Sequence, residues 1–214
     1  MEACREILVS GIALLNLSVT DDQVDQLLSF IKLIEKWNKA YNLTAIRGRE
    51  EMARLHILDS LAIVPHIEGK RVIDIGTGAG LPGIPLAICL PEIDFTLLDS
   101  NAKKTRFVQQ VVLELKLKNV EVLHSRVENY HPEKAYDAVL TRAFSGLSDI
   151  VKLTAHLLAK DGVLLAMKGQ NLDAELAELT EIAAKKSVIS VSVPGTDVER
   201  CLVRIQLPEQ AEVS

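Results

Sequence analysis

The segment Ile73-Asp74-Ile75-Gly76-Thr77-Gly78-Ala79-Gly80-Leu81-Pro82-Gly83 constrains this chain most. A short apolar run, Arg71 to Ile75, passes into alternating glycines and then into an apolar stretch reaching about Leu90. Strand, glycine turn and helix in that order open a parallel α/β sheet. Glycine lets the chain turn tightly and lets a ligand approach backbone that carries no Cβ. A ligand of such a unit lies beyond the carboxyl end of the strand.

The pattern after the loop continues the same theme. Strands are predicted at Phe95–Asp99, Val120–Leu123, Tyr136–Leu140 and Gly162–Met167. Helices are predicted at Lys103–Lys116, near Ser148–Leu158 and from about Leu172 to Ala184. The first of these turns Phe107, Val108, Val111, Val112 and Leu115 to the core at helical spacing. The ending differs: Val188–Val193 and Cys201–Leu207 are joined only by Pro194-Gly195-Thr196-Asp197. A joint that short makes a hairpin, because a parallel crossover needs a longer connection. The expected fold class is therefore α/β, a doubly wound and mostly parallel sheet with a C-terminal antiparallel hairpin.

The first 65 residues are helical in pattern. Val24, Leu27, Leu28, Ile31 and Ile34 form one face, widened by Phe30, Leu33 and Trp37, and Thr20 with Gln23 forms a capping box. A second helix is expected from about Glu50 to Val64, with Met52, Leu55, Leu58 and Leu61 as its stripe and Pro65 as its stop. The chain thus divides into a helical extension, 1–65, and an α/β domain, 66–214.

Composition excludes several classes. A chain of 214 residues, 48% hydrophobic and 25% charged, is neither disordered nor a disulfide scaffold. Its 3 cysteines, Cys4, Cys89 and Cys201, sit in apolar runs without a CxxC pair and are expected to be reduced. No apolar run approaches the ~18 residues of a membrane span. Thr20-Asp21-Asp22-Gln23 reads as a helix start, not a cleavage site, so a soluble, cytoplasmic protein is expected. A formal net charge of −5 argues against tight, unspecific nucleic-acid binding, though not against a local basic patch. The 5 histidines show no metal-ligand spacing and no GxSxG or Walker A loop is present, so no metal is expected. His56 and Asp59, three apart on one helix, are expected to share a structural hydrogen bond.

Two ligands compete for the glycine loop. Gly78 to Gly83 matches the GxGxxG dinucleotide fingerprint, whereas Gly76-Thr77-Gly78-Ala79-Gly80 matches the GxGxG loop of S-adenosylmethionine (SAM) methyltransferases. Asp99 ends the second strand, where a carboxylate accepts hydrogen bonds from an adenosine ribose of either ligand. Asp74 tilts the balance toward SAM. An acid inside an apolar strand needs donors or a cation, and the amino group of SAM is a suitable partner, whereas a pyrophosphate would repel it. An oxidoreductase binding a nicotinamide dinucleotide and a non-catalytic RNA-binding factor remain as alternatives.

Basic residues cluster toward the same rim. Lys103, Lys104 and Arg106 open the helix after Asp99, where cations oppose the helix dipole; they form either a solvated face or a phosphate-binding edge beside the cofactor. Arg142 and Lys168 end the fourth and fifth strands, and Arg126, Arg47, Arg49 and Arg54 extend the patch. Lys103, Lys104, Arg106, Arg126 and Lys168 are the RNA-binding candidates. Trp37, Tyr41 and Phe144 could stack on bases, although Trp37 fits a core position better.

Several segments together resemble the bacterial small-subunit rRNA guanine-N7 methyltransferases, also called glucose-inhibited division protein B. They are Trp37-Asn38-Lys39-Ala40-Tyr41-Asn42-Leu43-Thr44, His56-Ile57-Leu58-Asp59-Ser60, Asp74 through Pro85, Leu98-Asp99-Ser100 with Lys103-Lys104, Ser125-Arg126-Val127-Glu128, Thr141-Arg142-Ala143 and Lys168-Gly169. The resemblance spans nearly the whole chain; one departure is Thr141, where many relatives carry Ser. It implies a Rossmann-like class I methyltransferase fold, SAM as donor with S-adenosylhomocysteine (SAH) as product, and a guanine of 16S rRNA near the decoding site as acceptor. It implies cofactor contacts at Gly76, Leu81, Val127, Glu128 and Arg142, beside Asp74, Gly78, Gly80 and Asp99 argued above. Guanine N7 carries no proton, so no catalytic base is assigned, and Arg142 and Lys168 are expected to orient substrate or cofactor. The small ribosomal subunit is the expected partner, a membrane is not, and a monomer is the expected state.

Overall fold

The computed structural model describes residues 1–142, 146–169, 172–179, 185–197 and 199–208. Helix α1 (Glu2–Leu14) leads to α2 (Asp21–Tyr41), which opens on the capping box expected from sequence. The Gln23 N–H donates to the Thr20 hydroxyl at 3.3 Å, and the Thr20 N–H donates to Gln23 Oε1 at 2.9 Å. The next helical stretch is not a single α-helix. It runs through α3 (Arg49–Met52), a π-helical segment (Ala53–Leu58) and α4 (Asp59–Leu61), and Pro65 lies within a 3-10 turn, Val64–His66.

Among the described residues the sheet has 7 strands in the order β3-β2-β1-β4-β5-β7-β6. They are β1 (Arg71–Ile75), β2 (Asp94–Asp99), β3 (Val120–His124), β4 (Tyr136–Arg142), β5 (Leu158–Lys168), β6 (Lys185–Ser192) and β7 (Glu199–Gln206). The first five pair in parallel, and β7 runs antiparallel to both β5 and β6, as the short joint requires. The intervening helices are α5 (Gly83–Cys89), α6 (Ala102–Leu115), α7 (Leu147–Thr154) and α8 (Asp173–Glu178). The last was expected to reach Ala184; residues 180–184 lie outside the described set. β5 begins earlier than expected, at Leu158, with a shift in its pairing to β4 between Tyr136 and Ala138.

Alternation along the strands sends side chains to two cores. Val72, Phe95, Leu97, Ala138 and Leu140 face one, which also contains Leu8, Leu27, Phe30 and Phe107. Ile73, Ile75, Leu98 and Val139 face the other, with Ile150 and Val151 of α7. The helical extension therefore shares its core with one face of the sheet. Phe30 stacks on Phe107 at 6.5 Å between ring centroids. Trp37 is half-buried against the same ring at 5.9 Å, the packing role expected of it. The extension also binds free helix ends: Gln23 Nε2 donates to the Ile88 carbonyl (2.7 Å) and Gln26 Nε2 to the Leu115 carbonyl (3.1 Å).

Candidate active site

The glycine loop leaves β1 between β2 and β4, at the point where the strand order reverses. Gly76, Gly78 and Gly80 all have positive φ (69°, 62° and 80°), a conformation that side chains disfavour. The loop is closed by its own amides. Gly76 and Thr77 donate to the Leu98 carbonyl (2.8 and 3.1 Å), and Gly80 and Leu81 donate to the Thr77 carbonyl (both 2.9 Å). Gly78 donates to Asp99 Oδ2 at 2.9 Å, and Asn101 donates to Asp99 Oδ1 at 2.8 Å. Asp99 is thus fixed at the loop by two backbone donors, with lone pairs to spare.

Asp74 lies fully buried beneath the loop. Its Oδ2 accepts the Thr77 hydroxyl (2.7 Å) and the Gly83 amide (3.1 Å), while Oδ1 is buried without a partner. Burial pushes its carboxyl up to about 6, although both hydrogen bonds pull the other way. The donors foreseen for this acid are in part the protein's own, and one oxygen, Oδ1, has none. Thr77 was not among the expected site residues; its only signal was a hydroxyl three positions after a buried acid.

Beyond the strand ends lies a cleft of about 340 Å³ lined by Ile75, Gly76, Leu98, Asp99, Ser100, Lys104, Ser125, Arg126, Val127 and Glu128. It brings together the expected cofactor residues Gly76, Asp99, Val127 and Glu128 with two basic candidates, Lys104 and Arg126. Gly78, Gly80 and Leu81 shape the loop behind it. Lys103 and Arg106 are exposed on α6, outside the lining, and Asn101 caps their helix by accepting the Lys103 and Lys104 amides (3.0 and 3.4 Å). Phe144 lies outside the described residues.

Arg142 and Lys168 emerge at the same rim, since Ile75 pairs with Thr141, Thr141 with Ala166 and Arg142 with Met167. Lys168 Nζ contacts Glu175 Oε2 at 2.8 Å, and that oxygen also accepts the Leu147 amide at 2.9 Å. Arg142 Nη2 donates to the Leu55 carbonyl at 3.0 Å and stands 3.3 Å from Asp59 Oδ2. Asp59 also receives Arg200 Nε at 2.8 Å, a partner that lies 141 positions away and gave no local signal. Arg142 Nη1, Thr141 Oγ1 and Asp59 Oδ2 are buried without hydrogen-bond partners, so the contact between Arg142 and Asp59 is an ion pair only.

The expected hydrogen bond between His56 and Asp59 is not formed. His56 Nε2 instead meets the Thr44 hydroxyl at 2.8 Å and Nδ1 donates to the Leu55 carbonyl at 3.2 Å. Burial, and then the Arg142 charge, pull this imidazole from 6.5 down to about 4. The unfolded chain therefore binds more protons between these pH values, so stability rises with pH across the window and is lost on acidification. From pH 7 to 4 the wild type should lose on the order of 3 kcal/mol more than His56→Gln. Urea unfolding of both proteins across that range checks this; parallel curves would contradict it. Asp74, raised to about 6, contributes with the opposite sign in both proteins and cancels in the comparison.

Among the described residues no group of three His, Cys, Asp or Glu could hold a metal ion, and no helix is long and apolar enough to cross a membrane.

The geometry has counterparts in known proteins. A Chromobacterium violaceum protein named ribosomal RNA small subunit methyltransferase G is 52% identical over 201 residues, covering 94% of this chain and 96% of that one. A protein of the same name from Hydrogenovibrio crunogenus is 53% identical over 186 residues, covering 87% and 86%. The crystal structure of the N-methyltransferase NodS from Bradyrhizobium japonicum in complex with SAH superposes with a TM-score of 0.53. It does so at 13% identity, covering 75% of this chain and 88% of that one. With the strand order above, this gives the chain the Rossmann-like fold of SAM-dependent methyltransferases, as expected. The family model described as rRNA small subunit methyltransferase G matches residues 23–203. The chain belongs to the rRNA small subunit methyltransferase G family.

Proposed function

We propose that this protein transfers a methyl group from SAM to N7 of a guanine in 16S rRNA, near the decoding site of the small subunit. The observation that carries the donor is where the loop amides go. A dinucleotide site holds its pyrophosphate on free loop amides and a helix N-terminus. Here the Gly76, Thr77, Gly78, Gly80 and Leu81 amides are bonded within the protein, and the first amide of α5, at Gly83, already faces the Asp74 carboxylate. An anion would meet that carboxylate; the ammonium of SAM would satisfy its free oxygen.

The residues present fit SAM throughout. Asp99 would hold the ribose hydroxyls, Val127 and Glu128 the adenine edge, and Asp74 the amino group. Bound SAM supplies an electrophilic methyl on a sulfonium. Guanine N7 offers a lone pair and no proton, so the protein need only align the two, a proximity effect that requires no base. At this rim His56 is buried and hydrogen-bonded on both nitrogens, to the Thr44 hydroxyl and the Leu55 carbonyl. Arg142 and Lys168 would orient substrate or cofactor, and Lys103, Lys104, Arg106 and Arg126 would meet RNA phosphates beside the cleft. The rRNA acceptor follows from the family; the choice of N7 follows from the resemblance.

Calorimetry with SAM, SAH and NAD tests the donor. SAM and SAH are expected to bind and NAD to give no saturable heat; NAD binding as tight as SAH would overturn the assignment.

A further inference from the structure

Asp59 lies outside the cofactor cleft, on the helical extension, yet it is one of the least accessible charged groups in the molecule, with 1% of its side chain exposed. Isolated burial of a carboxylate is costly, so its partners indicate its use. Oδ1 takes Arg200 from β7 and Oδ2 faces Arg142 from β4. Two cations from different strands converge on one acid from the extension.

The backbone beside Asp59 is shaped to the same end. In an α-helix the Asp59 amide would bond to the Leu55 carbonyl. In the π-helical segment Ala53–Leu58 it bonds instead to the carbonyls of Arg54 and His56. The skipped Leu55 carbonyl accepts Arg142 Nη2 at 3.0 Å. A π-helical turn persists only where something compensates it, and such turns gather at functional sites. Arg142 is therefore held by one hydrogen-bond acceptor of the extension, the Leu55 carbonyl, and by the Asp59 charge, whose Oδ2 lies 3.3 Å away without a hydrogen bond; its Nη1 remains buried and unpartnered. Nη1 is left without an acceptor at the exit of β4, where Thr141 pairs with Ile75 at the start of the glycine loop.

We propose that Asp59 is a positioning residue for methyl transfer. With the freed Leu55 carbonyl it fixes the Arg142 guanidinium, so that the spare donor is held ready at the rim, while Arg200 secures Asp59 from the opposite side. This rests on the reading that Arg142 touches cofactor or substrate.

The test measures methyl transfer from SAM to small subunits purified from cells lacking the enzyme, using Asp59→Asn, Arg142→Gln and the double variant. Folding is checked by circular dichroism. Asp59→Asn should lower kcat/KM by about 30-fold, in line with the cost of a misplaced catalytic contact. Added to Arg142→Gln it should cost less than about 3-fold more, because coupled residues are non-additive. The same loss in both backgrounds would mean a merely structural role and overturn the proposal. Wild-type rates in Arg142→Gln would instead remove the reading of Arg142 on which it rests. An impaired Arg142→Gln with an unimpaired Asp59→Asn would refute the role of Asp59 alone. If Asp59→Asn does not fold, Asp59→Glu, which keeps the charge but shifts it, is judged by the same criterion.

Discussion

Asp99→Asn is expected to weaken SAH binding by about 100-fold or more while leaving the chain folded. The native carboxylate accepts the Gly78 and Asn101 amides, one on each oxygen, and keeps lone pairs for two ribose hydroxyls. Hydrogen bonds to a charged group are worth about 1.5–3 kcal/mol each. An amide in its place would weaken both proposed ribose contacts and turn an NH₂ donor toward one of the backbone N–H groups. The combined loss of roughly 3–5 kcal/mol corresponds to 100-fold or more in Kd. Calorimetric titration with SAH reads this directly, and a change below about 3-fold would show that Asp99 does not hold the cofactor.

The second large effect concerns stability. Gly80→Ala should cost on the order of 3 kcal/mol, whereas Gly78→Ala should cost about 1 kcal/mol. Both residues have positive φ, so both substitutions pay a conformational cost. Only at Gly80 would the added Cβ lie 2.7 Å from Ile84 Cγ1, with Val108 Cγ2 at 3.6 Å; at Gly78 the nearest atom is 3.8 Å away. Ile84 is fully buried and, being β-branched, yields little. Because Gly80 and Leu81 share the Thr77 carbonyl, the clash also disturbs the loop that presents Asp99. Urea unfolding of the two variants separates them, and equal losses would refute the steric account.

These two residues also show which features were legible in the sequence. The β1–loop–α5 unit, Asp99 and the terminal hairpin are read from local patterns, because each is decided by neighbours in the chain. The same holds for the capping box of Thr20 and Gln23. The π-helical turn at Ala53–Leu58 was not legible: Met52, Leu55, Leu58 and Leu61 fit an ordinary helical stripe, and the Leu55 carbonyl it skips is taken by Arg142, 87 positions away. Nor was the pairing of Asp59 with Arg142 and Arg200, or of Lys168 with Glu175. Charged residues give no periodicity that identifies a distant partner, and the nearer His56 was a plausible but wrong choice for Asp59. The position of Lys104 and Arg126 in the cleft, with Lys103 and Arg106 outside it, depends on which face of α6 and which end of β3 meet the loop.

The most direct test of the central claim is mass spectrometry of nucleosides from defined 16S rRNA fragments. The substrate is small subunits from a strain lacking this gene, treated with the purified protein and SAM. One guanine, near the decoding site, is expected to gain a methyl group as 7-methylguanosine, and Asp99→Asn protein is expected to leave it unmodified under the same conditions. Transfer to another base or another atom of guanine, or no transfer at all by protein that binds SAM, would contradict that claim.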